Sequence, residues 1–159
     1  MSAKGKGPAH IALSKEHNVI MVSNYSSGGI VAYAIDPATG EISEDPLLVD
    51  SYERGSGADP ERQEASHAHG AFFCRDNVYV VDLGGDKIWH YGIKQDASKG
   101  VSIERKGQLD LAPGLGPRHL CVDASRNRLV NVTMPFSLLL QVHQSYIAKD
   151  KLINTLAHV

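Results

Sequence analysis

The hydrophobic positions of this chain occur in short clusters that recur along the sequence. Val, Ile and Tyr dominate the clusters, and Gly, Asn, Asp, Ser or Lys separate them. Within residues 29–36, Val31, Tyr33 and Ile35 alternate with smaller or apolar neighbours, and a period of two is typical of a strand. The six clearest clusters cover residues 18–25, 29–36, 77–84, 87–94, 128–134 and 138–144. No window shows a helical stripe with caps, so the pattern predicts a nearly all-β chain.

Turn-forming residues fill the gaps between these clusters. Residues 24–29, 82–87 and 133–137 predict hairpins between consecutive strands. Residues 36–42 contain Asp-Pro and a Gly, which predict a tight turn into a further, weaker strand. Residues 94–103 and 148–153 occupy the same place in the later parts of the chain.

One pattern of strands and turns occurs three times. Each copy starts at a histidine, continues through two strands joined by a polar turn, and then forms a hairpin and two more strands. The starting histidines are His10, His69 and His119, and the second strands end at Asn24, Asp82 and Thr133. The offset between the two is 14 residues in the first and third copies and 13 in the second. We interpret the three histidines as occupants of one repeat position.

A repeat of about 50 residues with four strands is typical of a β-propeller blade. The sequence therefore predicts an all-β propeller with about three blades, in units of roughly 7–66, 67–116 and 117–159. Complete propellers close with about four to eight blades, so the chain is expected to be part of a larger ring, or to complete one by self-association. A two-layer β-sandwich is the alternative, since its strands recur at similar spacing.

Composition narrows the classes of partner. The chain has 159 residues and a formal net charge of -2, which lacks the basic excess of a nucleic-acid-binding protein. No apolar run has the length of a membrane helix, and the first residues lack the apolar segment of a secretion signal. Cys74 and Cys121 lie in apolar contexts and are expected to be small buried thiols, with a disulfide as the alternative. We expect a cytoplasmic location.

Chemically versatile side chains concentrate between the first two units. The segment PERQEASHAHG, residues 60–70, and the segment GPRHL, residues 116–120, both precede predicted inner strands. Leading edges of successive blades face one central channel, so these residues can converge there. The candidates for proton transfer are Glu64, His67, His69 and His119, and those for substrate binding are Arg62, Gln63, Asp82 and Arg118. Structural roles stay open for each: a hydrogen bond at a strand start for the repeated histidines, a surface ion pair for Arg62 with Glu64, and a turn cap for Asp82.

These segments resemble the seven-bladed propeller lactonases, a family that includes bacterial-type 6-phosphogluconolactonases and carboxy-muconate-cyclising enzymes. The resemblance runs from Gly7 to about Val142 and is strongest in residues 62–69 and 116–119. It implies hydrolysis of a sugar-phosphate lactone, 6-phosphoglucono-δ-lactone, in the pentose phosphate pathway. It also implies that no cofactor or metal is needed, although His67 and His69 are a possible ligand pair on one strand face.

One position departs from the family pattern. The family usually carries Asn-Glu where this chain has Thr133 and Met134. The missing acidic residue favours a second hypothesis, a non-catalytic propeller piece that binds or acts as a scaffold. A third hypothesis is a cyclase acting on a muconate-type dicarboxylate, because the same arginines would hold carboxylates.

Overall fold

The chain folds into three four-stranded antiparallel sheets, each built from four consecutive strands. The computed structural model describes residues 2–123, 128–133, 139–143 and 156–158, with side chains described for residues 2–121. The first sheet contains β1 (Pro8–Ser14), β2 (Val19–Asn24), β3 (Gly29–Ala34) and β4 (Leu48–Ser51). The second contains β5 (Ala68–Cys74), β6 (Asn77–Asp82), β7 (Lys87–Asp96) and β8 (Gly100–Asp110). The third contains β9 (Pro117–Asp123), β10 (Arg128–Thr133), β11 (Leu139–His143) and β12 (Leu156–His158).

The predicted β class and the four-stranded repeat are confirmed, and the first strand of each sheet is the innermost. β5 packs against β1 on one side and against β9 on the other, so the leading strands are neighbours around a common axis. We refer to the sheets as blades one, two and three. The predicted unit boundaries at residues 66/67 and 116/117 remain a prediction.

Apolar side chains between blades one and two form the main core. The alternation of the second and third strands places Met21, Ala32, Val80 and Tyr91 at this junction, and each is at most 1% exposed. A second cluster around Tyr79, Val81 and Ile88 packs toward blade three. By contrast, Ile11 and Leu13 on β1 are 65% and 53% exposed. Self-association that completes the propeller ring stays a prediction.

The fourth strand of blade one differs from its expected position. Residues 36–42 form a turn closed by one isolated bridge between Ile35 and Ile42, and β4 starts only at Leu48. Pro46 lies between the turn and β4 and lacks the N–H that a continuous strand needs. In the part of the chain that the structure describes, no helix has the length and apolar character of a membrane span.

Candidate functional site

A β-bulge near the start of each inner strand decides which side chains reach the channel end of the blades. In each sheet the register between the first and second strands shifts across one extra residue. The flanking pairs are Pro8–Asn24 and His10–Ser23, Ala68–Asp82 and Gly70–Val81, and Pro117–Thr133 and His119–Val132. The extra residues are therefore Ala9, His69 and Arg118.

This register corrects the predicted equivalence of the three histidines. His10 and His119 do share a repeat position, but the residue of blade two at that position is Gly70. His69 instead occupies the bulge position of Arg118. The offset of 13 residues in the second copy, against 14 in the others, is the sequence trace of this difference.

The two bulge residues of blades two and three bind each other. Arg118 donates from Nε to Nε2 of His69 at 3.1 Å. Burial, followed by the positive charge of Arg118, lowers the pKa of His69 to about 4. The His69 ring is therefore neutral near pH 7, and with Nε2 accepting, its proton resides on Nδ1.

A second pair of predicted residues, Glu64 and His67, lies next to Tyr25. The Nε2 atom of His67 lies 3.0 Å from Oε1 of Glu64, and its Nδ1 atom lies 2.9 Å from the backbone carbonyl oxygen of Tyr25. The Tyr25 ring stacks on His67 with centroids 4.4 Å apart and meets His69 edge-on at 5.9 Å. Sequence reasoning missed Tyr25. This residue directly follows β2 of blade one, at the same end of the blades as the start of β5 in blade two.

Five predicted residues thus come together with Tyr25. His119 is exposed and meets the His69 ring edge-on at 5.4 Å. The histidine cluster, as we call it, consists of Tyr25, Glu64, His67, His69, Arg118 and His119. His10 borders it, and its pKa is lowered by burial and then by His119.

Asp82 lies under the cluster and is completely buried. Its carboxylate accepts hydrogen bonds from Ser66 Oγ at 2.7 Å, the His67 backbone N–H at 2.8 Å and the Gly85 backbone N–H at 2.9 Å. The Trp89 indole N–H adds a longer contact of 3.3 Å. Both oxygens are occupied by protein donors, an arrangement that fixes the backbone carrying His67.

Arg62 and Gln63 occupy a different place from the histidine cluster. Gln63 is 2% exposed and donates from Nε2 to the Leu83 carbonyl at 2.8 Å. Arg62 is exposed, and both residues line a cavity that also borders Gly114 and Gly116. The predicted site residues therefore lie in three places. Five belong to the histidine cluster, Arg62 and Gln63 line the cavity, and Asp82 is buried.

His67 and His69, considered above as a possible ligand pair although no metal was expected, both contact other protein groups. Both ring nitrogens of His67 lie near protein oxygens, and His69 accepts from Arg118. Among the described residues, Glu16, His17 and Asp76 are a group that brings three ligand-type atoms within 4.8 Å of one another. That group lies in the β1–β2 and β5–β6 turns, where a His17–Asp76 contact of 3.0 Å joins two blades.

Comparison with known proteins identifies the family. Residues 1–133 match the family described as Lactonase, 7-bladed beta-propeller. The chain therefore belongs to the seven-bladed β-propeller lactonase family.

The chain is also similar to two curated proteins. A 6-phosphogluconolactonase of Formosa agariphila is 32% identical over 119 residues, which are 72% of this chain and 32% of the relative. A 6-phosphogluconolactonase of Bacillus subtilis is 34% identical over 118 residues, or 73% of this chain and 31% of the relative. The matched region spans about a third of the length of these relatives.

Solved structures share the fold. A Lactobacillus plantarum protein superposes with a TM-score of 0.77 at 23% identity, covering 95% of this chain and 41% of that one. The periplasmic gluconolactonase of Pseudomonas aeruginosa superposes with a TM-score of 0.75 at 22% identity, covering 95% and 42%. These likenesses confirm the propeller architecture.

Proposed function

We propose that this chain contributes to a lactone hydrolase that opens 6-phosphoglucono-δ-lactone to 6-phosphogluconate. The observation that supports the proposal most strongly is the histidine cluster, in which an acidic group, a neutral imidazole and a guanidinium meet at the channel end of adjacent blades. Family membership and the relatives named 6-phosphogluconolactonase support the substrate class. We also propose that the protein is cytoplasmic and acts in the pentose phosphate pathway.

Glu64 is the proposed general base. Its side chain is 53% exposed, so the carboxylate that accepts from His67 is also open to water. The His67 ring lies between Glu64 Oε1 and the Tyr25 carbonyl oxygen and is proposed to hold Glu64 in place. Water loses a proton to Glu64 as its oxygen adds to the lactone carbonyl carbon.

Arg118, His69 and His119 serve the later steps in this proposal. The Nδ1–H of neutral His69, beside the positive charge of Arg118, suits stabilisation of the oxyanion that forms on the carbonyl oxygen. The ring C–O bond then breaks, and exposed His119 supplies a proton to the leaving alkoxide. Arg62 is proposed to bind the phosphate, whereas Asp82 positions the His67 backbone rather than touching the substrate.

The test is lactone opening measured with freshly generated substrate against the spontaneous rate. Glu64→Gln and Arg118→Ala are expected to reduce the enzymatic rate at least about 100-fold. Lys99→Ala, which removes an exposed cation from the β7–β8 turn, is the matched control and should retain full rate. A wild-type rate equal to the blank refutes hydrolysis by this chain.

A non-catalytic binding piece is the second candidate, because Thr133 and Met134 stand where the family usually has Asn-Glu. Thr133 ends β10, and Met134 lies outside the described residues. Stabilisation of the chain by 6-phosphogluconate without turnover would favour this candidate. Turnover of a muconate-type dicarboxylate instead would favour the cyclase.

A further inference from the structure

Tyr25 is the residue that blade one contributes to the histidine cluster. It directly follows β2, and its side chain is half-buried. Its ring stacks on the His67 ring, with the centroids 4.4 Å apart and an angle of 9° between the planes. The same ring meets the His69 ring edge-on, at 5.9 Å and 84°. One aromatic ring of blade one therefore contacts two imidazoles at the start of blade two.

These two contacts restrict how the imidazoles turn. Stacked and edge-on arrangements are both favourable for aromatic rings, because the ring face is negative and the ring edge is positive. Rotation of the His67 ring about its Cβ–Cγ bond would break the face-to-face contact with Tyr25. His67 is also 6% exposed, so little open space surrounds it. The plane of the His67 ring is therefore set by a residue of the neighbouring blade.

The backbone of Tyr25 is itself fixed. Its N–H donates to the Gly7 carbonyl at 2.8 Å, and its carbonyl accepts from the Gly28 N–H at 3.3 Å. The same carbonyl oxygen lies 2.9 Å from Nδ1 of His67. Tyr25 thus contacts His67 with both its ring and its backbone, from a hairpin that is bonded to the segment preceding β1.

The His67 ring connects Tyr25 to Glu64. Its Nε2 atom lies 3.0 Å from Oε1 of Glu64, whose side chain is 53% exposed. A long side chain in water samples several rotamers unless a contact restrains it. Within residues 2–121, His67 is the residue that meets the Glu64 carboxylate at hydrogen-bond distance. A turn of the His67 ring would therefore release Glu64.

We propose that Tyr25 is a positioning residue, whose aromatic ring orients His67 and thereby holds the Glu64 carboxylate in place. Its effect on catalysis rests on the proposed function, in which Glu64 is the general base. The ring and not the hydroxyl is the acting part, because the hydroxyl makes no hydrogen bond to the described residues. Replacement of Tyr25 by Phe should therefore be tolerated, whereas replacement by a residue without a ring should not.

The first measurement is lactone opening by the full 159-residue chain and its variants. Tyr25→Leu should lower kcat at least about tenfold with KM within about twofold, because a displaced catalytic group slows the chemical step. Tyr25→Phe should stay within about twofold of the wild type. The matched control is Phe72→Leu, which removes another half-buried ring that contacts a histidine across the same two blades, His10 at 5.3 Å. This control should also stay within about twofold, and urea unfolding checks that each variant is folded.

The second measurement needs no substrate. The ring protons of His67, assigned with His67→Gln, should resonate upfield in the wild type and in Tyr25→Phe, because a stacked aromatic ring shields them. In Tyr25→Leu they should move to the positions of an unstacked histidine, and in Phe72→Leu they should not move. Unshielded His67 protons in the wild type would refute the stack without any variant.

Two further results would overturn the positioning role. Equal loss of kcat in Tyr25→Phe and Tyr25→Leu would assign the effect to the hydroxyl, and unmoved His67 protons in Tyr25→Leu would show that the ring orients nothing. Turnover with the same kcat in the wild type and Tyr25→Leu would retain the hydrolase and reject the role of Tyr25. His67 protons that lose their shielding in Tyr25→Leu, in a chain without turnover, would retain the orientation of His67 by Tyr25 and reject the hydrolase.

Discussion

Blades one and two have the same backbone plan but place different chemistry at the channel end. Asn24 and Asp82 end equivalent strands, β2 and β6. Asn24 donates one hydrogen bond, from Nδ2 to the Ala3 carbonyl at 2.7 Å, and its buried Oδ1 has no partner among the described residues. Asp82 instead gathers four donors from the loop, the hairpin and β7.

The hairpins that follow β2 and β6 share their backbone hydrogen bonds but differ in the residue at the left-handed position. Tyr25 donates its backbone N–H to Gly7, and Leu83 donates the equivalent bond to His67. The left-handed turn position is Gly28 in blade one, with φ of 59°, and Asp86 in blade two, with φ of 51°. The backbone hydrogen bonds are therefore the same in the two blades. The side chains at equivalent positions determine how the two blades differ in chemistry.

The largest expected effect comes from removing the carboxylate of blade two. Asp82→Ala leaves four inward-facing donors without an acceptor and should lower the free energy of unfolding by about 3–5 kcal/mol. Asn24→Ala removes one hydrogen bond and should cost about 1 kcal/mol. Urea unfolding followed by circular dichroism measures both, and equal losses would refute the distinction between the blades.

Gly28 provides the next test. A Cβ at this residue would lie 2.4 Å from the Ser66 carbonyl oxygen, on a backbone already at positive φ. Gly28→Ala should therefore cost about 2–4 kcal/mol, from left-handed strain and from steric overlap. Gly40→Ala is the control, because Gly40 has φ of 77° but nothing within 4 Å; it should cost only about 1 kcal/mol. Similar losses at both glycines would show that the Ser66 contact is unimportant.

His69, the bulge residue of blade two, should make the free energy of unfolding depend on pH. The pKa of His69 falls from an ordinary 6.5 to about 4 in the folded chain, so the unfolded chain binds more protons between these values. Stability should therefore decrease as the pH falls from 6.5 toward 4, with His10 contributing in the same direction. In His69→Gln, the urea midpoint should fall less steeply over this range. Identical slopes in variant and wild type would exclude His69 as a source.

The smallest effect is expected at the opposite end of the blades. Asp76, 77% exposed, joins buried His17 across the two turns. Asp76→Ala should cost under about 1 kcal/mol, because solvent screens an exposed pair. Asp76→Asn, which keeps an acceptor for His17, should be close to wild type in the same urea experiment. A loss as large as that of Asp82→Ala would contradict this ranking.

The strands were predictable because their hydrophobic clusters are bounded by turn residues. β2, β3, β6, β7, β10 and β11 all lie where such clusters were found. The fourth strands were harder, since β4 is half-exposed and amphipathic, with burial alternating along only four residues. Such a strand depends on pairing with β3 more than on its own composition.

The sequence indicated which residues come together in the histidine cluster but not their geometry, and their role in a site stays a prediction. The density of His, Glu and Arg in two loops located Glu64, His67, His69, Arg118 and His119. A bulge is a backbone feature without a required residue type, so the alignment of His69 with His10 and His119 was wrong by one position. Tyr25 was missed because an aromatic residue in a hairpin has no chemical pattern of its own.

The loop of residues 52–67 is fastened at both sides. Tyr52 and His67 attach it to the turn of blade one, and Ser56, Gln63 and Ser66 attach it to the end of β6 and the turn of blade two. A segment anchored in this way is poorly suited to act as a moving lid. A molecule that binds next to this loop would therefore contact a rigid surface. Its shape and charge, rather than a movement of the loop, would determine whether it binds.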